Sequence, residues 1–67
     1  MDPNANLAEQ ESILTAELTP SGQLHNYDRY RLYDLRVALR DWLKGEGFAP
    51  DWDKYPIATA AYRRWAN

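Results

Sequence analysis

The chain has 67 residues, a formal net charge of −2, one histidine and no cysteine. A chain of this length is one domain at most and buries only about 60% of the surface its unfolded form exposes; without cysteine it has neither disulfides nor the ligands of a structural zinc site to offset that shortfall. The acidic balance argues against general polyanion binding, no apolar run nears the ~20 residues of a membrane span, and the start MDPNANLAEQE lacks the basic and apolar blocks of a signal peptide, so the expected compartment is the cytoplasm.

The first predicted helix runs from about Pro3 to Leu18, with Asp2 as its N-cap and Pro3 at the first helical position. Leu7, Leu14 and Leu18 share one face, and Ile13 and Ala16 stand off its edge, a thin apolar stripe for so long a helix. Thr19-Pro20-Ser21-Gly22 ends it. The second helix is expected from an Asn26 N-cap to a glycine stop at Gly45 or Gly47. Leu32, Leu35, Leu39, Trp42 and Leu43 fall within about 100° of one another on its wheel and define a buried face with Trp42 at its centre. Pro56 suits the first position of a third helix that runs to the chain end, where Ile57, Ala61 and Trp65 are spaced to pack on helix two. The three Trp, five Tyr and one Phe all lie between Tyr27 and Trp65, which predicts a carboxy-terminal core.

Between helices two and three stands GEGFAPDWDKYP, whose glycines and prolines forbid a continuous helix. Its aromatic residues are expected to fold back over the open end of a helical hairpin: Phe48 at the hydrophobic contact that follows a helix stop, Trp52 and Tyr55 over the seam. The predicted fold is therefore all-α, a small three-helix domain with helices two and three as a hairpin sealed by an aromatic loop. Residues 1–19 form its amino-terminal helix, a candidate assembly arm, and 26–67 its aromatic hairpin.

Asp2, Pro3, Asn4, Ala5 and Leu7 at the start, with Ala38, Leu39, Trp42, Gly47, Phe48, Pro50, Asp51 and Trp52 later, carry a resemblance. The sequence resembles a group of short uncharacterised proteins of bacteriophages and bacteria, which pair a DPNA-like start with a Trp, a glycine-rich turn and a Phe-x-Pro-Asp-Trp run. The likeness covers both ends of the first 52 residues but not the tail from Asp53 onward, and Gly45-Glu46-Gly47 departs from the adjacent glycine pair of the group. It implies a phage or mobile-element origin and no particular activity.

Motifs for chemistry are weak. Asp2-x-Asn4-x-Asn6 imitates a calcium loop, but Leu7 and Ile13 occupy the positions that need glycine and a bidentate acid; Asp51-x-Asp53 fails in the same way at Tyr62. His25 is the sole candidate base for nucleophilic catalysis, and no elbow motif frames a serine or threonine. Gly45-x-Gly47 follows a helix instead of opening one, the wrong polarity for cradling phosphate. The expectation is a non-enzymatic protein with no cofactor, no metal site and no small-molecule substrate.

One surface is sharper. Arg29, Tyr33, Arg36, Arg40 and Lys44 fall within about 80° of one another beside the apolar face of helix two, and Asp34 and Asp41 lie about 120° away. Arg29, Arg36 and Arg40 have no acid three or four positions off. Such a stripe is either a solvated face paired with Glu9, Glu11 and Glu17 of helix one, or a binding surface. The functional expectation is an accessory protein that binds an acidic protein surface, itself, or both, through this stripe together with Trp52 and Tyr55. The alternative is a nucleic-acid-associated helical module using the same stripe, which the net charge disfavours.

Overall fold

The computed structural model describes residues 1–17 and 26–67. It contains three α-helices, α1 (Pro3–Glu17), α2 (Asn26–Lys44) and α3 (Pro56–Ala66), with a single 3-10 turn, Trp52–Lys54, before the last. No strand occurs among the described residues. The expected Leu18, the Thr19 to Gly22 stop and His25 lie outside them.

Helix α1 starts as its sequence predicts. The Asp2 carboxylate accepts hydrogen bonds from the amides of Asn4 at 2.9 Å and Ala5 at 3.2 Å, satisfying two of the donors that a helix start leaves orphaned. Pro3, Leu7, Gln10 and Leu14 then turn inward, and Leu7 and Gln10 are completely buried. The buried face of α1 therefore mixes apolar and amide side chains, which is why its leucines alone read as a thin stripe. Asn6, also buried, donates to the Leu35 carbonyl of α2 at 2.9 Å and accepts from Gln10 Nε2 at 2.7 Å.

The core is not confined to the carboxy-terminal part, as the distribution of aromatics had suggested. Helix α1 packs against both α2 and α3, and Leu7 and Leu14 join Leu32, Leu39, Ala58 and Tyr62 in one buried cluster, bordered by Leu43, Trp52, Tyr55, Ala61 and Trp65. Aromatic rings from α2, the 3-10 turn and α3 extend that cluster: Trp52 stacks on Tyr62, and Trp65 meets both Tyr62 and Tyr33.

Helix α2 stops by a Schellman arrangement. The Gly47 amide donates to the Trp42 carbonyl at 3.0 Å and the Glu46 amide to the Leu43 carbonyl at 3.3 Å. The left-handed residue this closure requires is Glu46, with φ of 66°, and neither flanking glycine takes that role. Gly47 is needed for space instead: a β-carbon there would collide with the Trp42 indole. Trp42 thus leaves the centre of the buried face, where the wheel placed it, and is only half-buried. It folds over the turn, donates from Nε1 to the Phe48 carbonyl at 2.8 Å and takes the Phe48 ring edge-on at 5.6 Å.

Helix α3 begins at Pro56 without a capping side chain of its own. Glu11 of α1 supplies the missing acceptor: its carboxylate receives the amides of Ala58 at 2.6 Å and Ile57 at 3.3 Å. Two turns earlier on the same side of α1, Asn4 accepts the Asp51 amide at 2.7 Å. These two contacts set the rotation of α3, so that Ala58, Thr59 and Tyr62 are buried while Ile57, expected on the packed face, is 40% exposed. Ala61 and Trp65 border the core, but of the three residues expected to pack on helix two only Trp65 is seen against it, at Tyr33 and Arg40, because α3 packs chiefly on α1.

Candidate protein-binding surface

The residues singled out in the sequence separate into two groups. Trp52 and Tyr55 seal the core. Trp52 lies 5.8 Å from Tyr62 with planes 24° apart, its carbonyl accepts the Thr59 hydroxyl at 2.9 Å, and the Arg63 guanidinium sits 5.5 Å from its ring centre. Tyr55 is half-buried against the cluster with the Lys54 ammonium 5.9 Å from its ring. Burial in turn pushes the Tyr62 phenol above its ordinary range, as expected for a ring inside this stack.

The stripe on α2 is brought together along one flank. Arg29 and Lys44 are exposed, Arg36 and Arg40 half-buried, and Tyr33 57% exposed. Two of the five meet the end of α3. Tyr33 packs edge-to-face on Trp65 at 6.1 Å, and the Arg40 guanidinium lies 5.4 Å from the centre of that indole, with its Nε 3.6 Å from Asp41.

The pairing of this stripe with helix one does not form at Glu9 or Glu11. Helix α1 lies on the other side of the α2 leucines, so Glu9 reaches Arg31 instead, in a bidentate contact of 2.5 and 2.8 Å, while Glu11 is engaged at α3. The Arg31 hydrogen bond holds the Glu9 carboxyl below its usual range, and the same bond raises the Arg31 guanidinium.

Two further surface residues complete the candidate surface. Tyr27 is 75% and Tyr30 73% exposed, both on the first two turns of α2 and about 110–170° around the wheel from the leucine face. That angular separation was readable from the sequence, because a tyrosine opposite the apolar stripe has no core to enter. Tyr30 and Tyr33 stand about 60° apart on the wheel with Arg29 beyond Tyr33, and Tyr27 lies further round on the other side of Tyr30; exposed tyrosines and arginine are the composition enriched where proteins meet. Phe48 is the other large ring left exposed.

No cluster of three or more His, Cys, Asp or Glu able to hold a metal ion occurs among the described residues, and no helix there is long and apolar enough to cross a membrane. No family model matches the chain, and comparison with curated proteins and with solved structures returns no match.

Proposed function

We propose that this chain is a small non-enzymatic accessory protein that acts in the cytoplasm by binding another protein through the amino-terminal half and cationic flank of α2. The observation that carries the reading is the exposure of Tyr27, Tyr30 and Tyr33 along the first half of α2, in a domain whose other tyrosines, Tyr55 and Tyr62, are at least partly withdrawn into the core. Tyrosine offers a large contact area for little lost side-chain freedom, and Arg29 and Lys44, exposed on the same helix, favour a partner with an acidic surface.

Tyr27→Ala combined with Tyr30→Ala tests the reading. Both rings are outside the core, so the melting temperature should hold while recovery of a partner by the tagged protein, after nuclease treatment of its native host's lysate, falls by the ~2 kcal/mol of an interface hot spot. Undiminished recovery by the folded variant would reject the tyrosine patch. Nucleic-acid association through Arg29, Arg36 and Lys44 predicts instead a mobility shift that collapses with added salt.

A further inference from the structure

Charge is segregated across α2. Arg29, Arg36, Arg40 and Lys44 share one flank, and Asp34 and Asp41 lie about 110° around the helix from its midline. On the acidic side, α1 and α2 enclose an open groove of about 450 Å³. Met1, Ala5, Leu35 and Ala38 give it an apolar lining, while Asp2, Glu9 and Asp34 contribute three carboxylates against two cations, the Met1 amino group and the Arg31 guanidinium, which Glu9 already engages.

We propose that this groove receives the cationic flank of a second copy of the same chain, in a head-to-tail contact where Arg29 and Lys44 of one copy face Asp2 and Asp34 of the next. The inference deepens the proposed function, because it rests on the α2 flank being a binding surface. Charge complementarity selects the occupant: the chain carries both the acidic groove and a cationic helix flank to match it. The long aliphatic stems of Arg and Lys cover an apolar lining while their heads meet its carboxylates. Arg36 and Arg40 are left out, because both are already engaged within the chain, Arg40 by Trp65 and Asp41. Groove and flank lie on different sides of α2, so filling one leaves the other open. The contact is heterologous and assembly grows with concentration instead of stopping at a symmetric dimer.

Sedimentation velocity on the full chain, over a concentration series at about 0.05 M and about 0.5 M salt, tests this proposal. The wild type should associate at low salt, and at least about tenfold more weakly at high salt. Asp34→Lys, which reverses the groove, and Arg29→Glu with Lys44→Glu, which reverses the flank, should each stay monomeric where the wild type associates. An equimolar mixture of the two should associate again, because the unaltered flank of one variant meets the unaltered groove of the other. A wild type that is monomeric throughout, variants that associate like the wild type, or a mixture that stays monomeric would each overturn the proposal. Circular dichroism verifies each fold, and Asp34→Asn, with the same expected direction, replaces the lysine variant if that one is unfolded. Asp34→Lys leaves the flank intact and so separates the two readings. If it associates normally the groove is rejected alone, whereas undiminished partner recovery by Arg29→Glu with Lys44→Glu rejects the flank as the surface that meets the partner.

Discussion

Glu46 occupies the left-handed position that closes α2, although a glycine stands on either side of it. A residue with a β-carbon is strained there by about 1 kcal/mol or more. Glu46→Gly is therefore expected to stabilise the domain by about 0.5–1 kcal/mol once the greater freedom of glycine in the unfolded chain is subtracted, a rise of roughly 4 °C in melting temperature. The neighbouring position responds in the opposite sense. Gly47→Ala drives a methyl into the Trp42 indole, and an overpacked turn of this kind should lose about 1–3 kcal/mol, read as a lower denaturant midpoint with an unchanged slope. Trp42→Phe keeps a ring over the turn but removes the donor to the Phe48 carbonyl, and should cost about 1 kcal/mol. A glycine-rich stop was legible in the sequence. Which residue takes the positive φ was not, because the Trp42 ring and not the backbone alone dictates where glycine is needed.

At the level of elements, α1 acts on its neighbours by reading their backbone. Asn4 takes the Asp51 amide, Asn6 binds the Leu35 carbonyl and Glu11 caps α3, each across more than a helix of sequence. Glu11→Ala should leave the first amides of α3 without an acceptor and cost about 1 kcal/mol, with faster hydrogen exchange at Ile57 and Ala58 as the local signature. The ion pair between α1 and α2 gives an acid-dependent contribution. Because Arg31 hydrogen-bonds the Glu9 carboxylate, its proton affinity is lower in the folded state than in the unfolded chain, whose value is near 4.5. The pair contributes above that pH, and its contribution is lost as the pH falls through the lower folded value. Both side chains are exposed, so water and salt keep the effect small. The melting temperatures of the wild type and Glu9→Gln should differ slightly at neutral pH and converge in acid well below pH 4.5.

For the whole molecule, stability depends on α1 more than its sequence suggests. It contributes completely buried residues to the core and packs on both other helices, so a chain lacking residues 1–17 should lose its cooperative thermal transition. A folded, cooperatively melting remnant would show that α2 and α3 suffice as a unit. In a domain this small, net stability is a few kcal/mol, and the loss of Leu7 and Leu14 together removes a comparable amount of burial.

The three helices, the Asp2 cap, Pro3 and Pro56 at helix starts and the leucine face of α2 follow from the sequence alone, because caps, prolines and a 3.6-residue period act within one element. The cationic stripe was legible for the same reason. The tertiary structure decided what each face meets. Asn6 and Gln10 look like surface residues until the Leu35 carbonyl is placed beside them; Glu11 looks like a solvent acid until the start of α3 is brought to it; Trp42 follows the core period yet turns to the loop. Periodicity reports which residues share a side of a helix. Only the packing of a second helix, with its own unsatisfied amides and carbonyls, decides whether a polar side chain on that side is buried and whether an apolar one is left outside.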